Sequence, residues 1–490
     1  MRHPYPIIVL AVLIAASSAV VLSDQPDSEA DSTYRTPDST YSYTTHGSGS
    51  ESSPYYSVLY GVVSSESTLF IQSALEGYCL TTIASTGGCL SETVIIPGTV
   101  TAISGSAFDG CAGLRHIVFL GDRPDWSAPS GVSVSVLSGS SGWTASDGAN
   151  TLQVMSAAGG ASYFVLDGRA VVVGGSGADI VIPDEDGAGN PFTVIAPESF
   201  RDTGIESVAM GRNITDVGTR AFYGCTQLRS ASISESIERI GDEAFRYCIS
   251  LGDVDLHSVT ELGFESFRDC RSFGSIEIPD SVGFVGGGAF YLCRGAVSID
   301  IASLSVLPER MFGYCTSLES IDLSGVREIG LSAFNTCRSL ENVTFGDPEV
   351  IGDYAFDGCE LLCSPDLGGS LLSIGKCAFS RCLSITEIRF PESFASMGDR
   401  AFFHANSLKD IYFEGDMPDM PDEPFPGLTD LRVHVERSHL SSWNGYGGEL
   451  IVEGAEDGSG LPAGAVAAIA VAAAAFIAII AVILRRGRAE

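Results

Sequence analysis

The chain has 490 residues, with 27 Lys and Arg against 61 Asp and Glu, a formal net charge of −34. That balance repels phosphate backbones and anionic headgroups, so nucleic acid is excluded as a partner; a cationic partner or a divalent metal would suit it, and solubility with mutual repulsion on a crowded surface is the alternative. With 18% charged residues and 56 Gly, the composition points to short strands and turns rather than long helices.

In chain order, Met1, Arg2 and His3 precede a charge-free run over 4–23, apolar through 7–22. A basic start before an apolar run is the layout of a secretory signal peptide, here 1–23. Ala16, Ser17, Ser18 and Ala19 offer cleavage points without singling one out, and an uncleaved anchor is the alternative. Residues 24–54 are rich in Ser, Thr and Tyr and too poor in apolar side chains to order themselves, which predicts a flexible stalk.

From 199 onwards a short segment recurs: Ser-Phe-Arg-Asp-Thr, then Ala-Phe-Tyr-Gly-Cys, and on to Ala-Phe-Phe-His-Ala at 401–405. Its Phe stands at 200, 222, 245, 267, 290, 312, 334, 356, 379 and 402, always 22 or 23 residues apart. Around each Phe lies a strand-like alternation such as Leu318, Ile321 and Leu323, then a turn and a pair such as Ile329-Gly330. One unit cannot bury its apolar face alone, so the repeat predicts a stacked solenoid with one short parallel strand per coil.

The combined pattern, clearest in 273–279 with Ala289, Phe290 and Cys293 and in 385–391 with Ala401 and Phe402, resembles the BspA-type leucine-rich repeat family of microbial surface proteins. The resemblance is strong over about 160–445 and weaker over 58–145. It implies a leucine-rich-repeat solenoid and adhesion to host matrix, other microbes or host cells.

A second duplication divides the array. Residues 114–124 (LRHIVFLGDRP) match 408–418 (LKDIYFEGDMP), and each leads into a β-rich tail closing on Trp143 or Trp443. These tails read as caps over the exposed end of a solenoid. The expected organisation is a first repeat block at 55–145, a β-rich lead-in at 146–195 and the main solenoid at 196–452. A linker follows at 453–460, then an uncharged stretch at 461–484 and a tail at 485–490. The uncharged stretch is long enough for a transmembrane helix, and Arg485, Arg486 and Arg488 place its end on the cytoplasmic side. A lipid-anchor signal fits that basic end poorly.

Cys225, Cys248, Cys270, Cys293, Cys315, Cys337, Cys359 and Cys382 share one repeat position. Parallel side chains on coils roughly 4.8 Å apart do not give the disulfide dihedral, so the column reads as small buried thiols. Cys79 and Cys89 could pair with each other, while Cys363 and Cys377 have no evident partner. No zinc spacing, nucleophile elbow, HExxH or P-loop is present, so neither an enzyme nor a cofactor is expected.

What remains is the outward face of the strands. One column contains Asp253, Glu387 and Asp410; its neighbour contains Asp255, Glu277, Asp300, Asp322, Asp366, Arg389 and Tyr412. Like charges on adjacent strands oppose folding, which suits a strip that binds a basic protein, a cationic glycan or Ca²⁺; a merely solvated face is the alternative. Asn213 and Asn342 begin N-glycosylation triplets. The expected role is a membrane-anchored surface adhesin for an extracellular protein or glycan. The alternative is a structural envelope component whose binding is self-association.

Overall fold

A computed structural model describes residues 31–35, 39–46, 56–64 and 68–453, apart from 73, 76–77, 87–89, 127–128, 130, 145–148 and 302–303. The signal peptide expected at 1–23, the linker beyond 453, the 461–484 segment, the basic tail and Cys89 lie outside the described residues. Among the described residues no helix is long and apolar enough to cross a membrane.

The chain folds as a β-solenoid, and each coil has a front and a rear side. Front strands such as Ser298–Asp300 and Ser320–Leu323 carry the leucine-rich alternation. The one-strand-per-coil expectation needs correction. Most coils also form a two-residue rear strand, for example Asp216–Val217, Arg239–Ile240 and Glu261–Leu262, in parallel register with the next. The residue following most of these is a glycine because the coils touch there: a Cβ on Gly286 would sit 2.3 Å from the Phe264 nitrogen. The rear sheet breaks between Phe284–Val285 and Val306–Leu307, where Pro308 replaces that glycine and has no N–H to donate.

Between front and rear lies the core. The ten repeat phenylalanines form one column, neighbouring ring centroids 4.9 to 6.0 Å apart and planes within 25° of parallel. Each ring is fully or almost fully buried, which contributes about 1.5–3 kcal/mol per side chain. Beside it runs the Cys column, buried and free of disulfides. Each thiol donates to the carbonyl of the Phe one coil earlier, at 2.9 to 3.5 Å. Cysteine therefore supplies both a small apolar volume and a second, weak donor to a carbonyl that already accepts a backbone N–H within its own coil, as Phe245 does from Cys248 at 3.1 Å.

The first block corrects another expectation. Within the supposed flexible stalk, Asp31–Arg35 pairs antiparallel with Ser39–His46, which pairs antiparallel with Tyr56–Ser64. Tyr43 is 2% exposed and belongs to the first core. Thr and Tyr favour strands, and the edge of Tyr56–Ser64 supplies the missing hydrogen-bond partners, so low apolar content alone was a poor guide.

The two blocks are joined by packing. The second begins with the antiparallel hairpin Ala161–Leu166 and Arg169–Gly175. Its Phe164, Leu166 and Val171 bury themselves against Ile95, Val118 and Leu137 on the front strands of the first block. Thr219 in the second block also donates to Gln72 in the first.

Candidate functional site

In the second block the front strands alternate inward and outward residues. Along Ser320–Leu323, Ile321 and Leu323 are buried and Ser320 and Asp322 exposed. Parallel register sets Glu277 beside Asp300 and Asp322 beside Thr344. All four are exposed, so this stretch presents carboxylates to solvent.

The strip is less uniform than its columns suggest. No strand forms around 253–255 or 364–366, so the front sheet is interrupted there. The Asp253 carboxylate accepts from the Gly274 N–H at 2.7 Å and the Ser275 N–H at 3.1 Å, taking the place of ladder carbonyls. Asp255 accepts from the N–H of His257 at 3.1 Å, and its ring Nδ1 lies 2.8 Å away. Those contacts hold the Asp255 carboxyl below the usual range. Asp366 accepts from the Gly368 N–H at 3.2 Å. Pro365, at the central position of its coil, has no donor for a ladder. Asp255 and Asp366 thus fix turns in their own coils, while Asp253 holds the backbone of the next.

The C-terminal end of the face is different in kind. Glu387–Phe390, Asp410–Phe413, Arg432–Glu436 and Leu450–Glu453 form a continuous four-stranded parallel sheet. Register aligns Arg389, Tyr412 and His434. The Arg389 guanidinium lies over the Tyr412 ring at 3.7 Å, and that ring stacks on His434 at 4.2 Å. Both His434 nitrogens meet carboxylates at 2.8 Å, Nε2 with Asp410 and Nδ1 with Glu453. The Arg432 guanidinium beside Asp410, with help from His434 and against burial, holds the Asp410 carboxyl below the usual range. Glu436, two residues beyond His434, and Glu414, just past the end of its strand, line the same pocket. Together these groups border an open pocket of about 440 Å³ lined by Arg389, Tyr412, Glu414, His434, Glu436 and Glu453. The columns placed Glu387, Arg389, Asp410 and Tyr412 correctly on the face; they did not reveal the pocket, whose other walls come from the cap.

The first block contains the same sheet in the same register, built from Thr93–Ile96, His116–Phe119, Ser133–Leu137 and Asn150–Leu152. Trp143 packs on Phe119 at 4.9 Å and 51°, as Trp443 packs on Phe413 at 4.8 Å and 54°. Superposing the registers sets Ile95 at the place of Arg389, Val118 at Tyr412, Leu120 at Glu414, Leu137 at Glu436 and Leu152 at Glu453. The first cap thus shows an apolar face, and the lead-in hairpin covers it.

Opposite the front face, the turns around Phe carry a buried ion ladder that the sequence reading missed. Glu243 takes Arg220 at 2.7 Å and Arg246 at 2.8 Å, and Arg246 reaches Glu265 at 2.5 Å. Burial pushes the Glu265 carboxyl up, against the guanidinium groups of Arg246 and Arg268. The Arg220–Glu243 and Arg246–Glu265 pairs link neighbouring coils. Among the described residues no three His, Cys, Asp or Glu converge as metal ligands. Asn213 donates its amide to the Asp184 carbonyl at 3.0 Å, whereas Asn342 is exposed on the front face.

Residues 86–122, 188–293, 255–363 and 347–442 match the family described as BspA type leucine rich repeat region. A leucine rich cell surface protein from Faecalibacterium prausnitzii is 22% identical, covering 62% of this chain and 97% of its own, with a TM-score of 0.41. A leucine rich repeat protein from T. pallidum is 24% identical, covering 43% of this chain and 90% of its own, with a TM-score of 0.34. The pneumococcal vaccine antigen PcpA is 13% identical, covering 87% of this chain and 100% of its own, with a TM-score of 0.33. No curated protein matches the chain. With the repeat, the two-sided coil and the family match spanning more than half its length, the chain belongs to the BspA-type leucine-rich repeat family.

Proposed function

We propose that the chain is a surface recognition protein that engages an extracellular protein or glycan through the front face of its second block. One observation carries this reading: the front face is buried in the first cap and open in the second block, where Glu277, Asp300 and Asp322 are exposed. A broad face of repeated side chains suits shallow recognition of a large partner. The basic start and apolar run at 1–23 support export, and the uncharged 461–484 followed by Arg485 and Arg486 supports a membrane tether.

The test is a matrix-protein and glycan array probed with the full chain and with a Glu277→Gln/Asp300→Asn/Asp322→Asn variant. A saturable foreign ligand, bound at least tenfold more weakly by the variant, is expected. Equal binding by the variant would remove the acidic strip from the proposal. Self-assembly without any foreign ligand would favour a structural role in the envelope.

A further inference from the structure

The two caps share one frame, and the contrast between their faces shows what the second is built for. In the first cap Ile95, Val118, Leu120, Leu137 and Leu152 form an apolar floor, and the hairpin around Phe164 and Leu166 sits on it. In the second, the corresponding places hold Arg389, Tyr412, Glu414, Glu436 and Glu453, and the floor is an open pocket. Replacing a covered apolar surface by charged groups removes its affinity for an apolar hairpin. It leaves a concave site of about 440 Å³, within the size range of small-ligand pockets.

The charges are of both signs and are arranged separately. The Arg389 guanidinium carbon lies 3.7 Å from the Tyr412 ring centroid, and a guanidinium stacked on an aromatic face keeps the N–H fork at its edge for a carboxylate. Among the described residues Arg389 and Glu414 enter no ion pair, while Glu436 accepts from the Ser438 hydroxyl at 3.4 Å and, after the Asp416 hydrogen bond, helps to raise the nearby His439. Glu414, just past the end of Asp410–Phe413, and Glu436, at the end of Arg432–Glu436, each follow the paired residues Phe413 and Val435, roughly 4.8 Å apart at the backbone, where two like charges oppose folding unless a cation lies between them. Glu453 is partly satisfied by His434, which also fixes the platform beneath Tyr412. At the backbone, Glu414 lies one strand across and two residues along from Arg389, roughly 8 Å away, and Glu436 lies two strands across, roughly 12 Å away.

We propose that this pocket binds a zwitterionic ligand: a carboxylate on the Arg389 fork and an ammonium between Glu414 and Glu436. The spacing matches an extended lysine side chain and its own α-carboxylate, the group found at the end of a peptide that terminates in Lys. This deepens the recognition role proposed above and rests on it for the origin of the ligand. The site uses different residues from the acidic strip, so the two can fail separately.

Calorimetric titration of the full-length protein in detergent with 6-aminohexanoate, hexylamine and hexanoate tests the assignment. The zwitterion is expected to bind at least tenfold more tightly than either single-charge probe. Arg389→Gln and the Glu414→Gln/Glu436→Gln pair should each weaken it at least tenfold, while Glu277→Gln/Asp300→Asn/Asp322→Asn leaves it unchanged. All substituted side chains are exposed, and matching unfolding curves would confirm intact folds. Absence of zwitterion binding overturns the proposal, as does equal binding of hexylamine or indifference to Arg389→Gln. Loss of array binding in the strip variant with retained 6-aminohexanoate binding supports both sites independently.

Discussion

Val118 and Tyr412 occupy the same position in two copies of one cap, yet Val118 is fully buried and Tyr412 borders an open pocket. The backbone frame is shared down to the Trp that closes it; only the outward residues differ. The first cap is consequently an internal joint and the second a free surface. That difference has consequences for stability as well as for binding.

Phe164 is the hairpin's largest contribution to the joint and is fully buried. Phe164→Ala should cost about 3–5 kcal/mol in the joint. Because coils are coupled mainly to their neighbours, thermal unfolding should then separate into two transitions, the first block melting earlier. A single transition at the unaltered temperature in calorimetry would show that the joint contributes little.

Phe290 stands mid-column, 5.5 Å from the Phe267 ring and 6.0 Å from Phe312. Phe290→Ala leaves a cavity that no flexible side chain can fill, and should lower stability by about 3–5 kcal/mol in denaturant titration. A loss below about 1 kcal/mol would mean that the column collapses around the gap.

Gly286 and Gly283 separate contact from flexibility. A Cβ at 286 would meet the Phe264 nitrogen at 2.3 Å, whereas at 283 nothing lies within 4 Å. Gly286→Ala should therefore destabilise by about 1–3 kcal/mol or more, and Gly283→Ala by no more than about 0.5 kcal/mol. Equal effects in urea unfolding would attribute the glycine rule to chain entropy instead.

The ladder thiols predict an alkaline limit. Burial pushes the Cys337 thiol up to about 12 and raises those of Cys248, Cys270 and Cys359. A raised acid stabilises the fold fully below the unfolded thiol value, about 8.5, and loses that contribution as pH climbs towards the folded value. Stability should therefore fall from about pH 8.5 upward, more gently in a variant with several ladder Cys→Ala changes. In the native protein at neutral pH, iodoacetamide should label exposed Cys363 and spare the ladder, as read by peptide mass mapping. Rapid labelling of Cys293 or Cys315 would contradict the packing.

Much of this protein is legible in its residues. A period of 22 or 23 cannot be kept over ten phenylalanines without stacking those rings, and the shared position of the cysteines excluded bridges along the column. The match between 114–124 and 408–418 likewise exposed the duplicated cap. Local pattern suffices for these features because each is a one-dimensional repeat carried into space by identical coils. It failed at the stalk, where Tyr43 finds a partner only once Tyr56–Ser64 is in place. It failed again at Asp253 and Asp366, which face outward as their columns require but serve neighbouring backbone groups.

Side-chain alternation and a constant period are properties of the chain alone, and they suffice for the solenoid, its repeat, its buried columns and its outward residues. Which outward face stays open is set by long-range packing. That depends on whether another segment finds an apolar floor to cover: Ile95, Val118 and Leu137 offered one to the hairpin, while Arg389, Tyr412 and Glu436, in the same frame, did not.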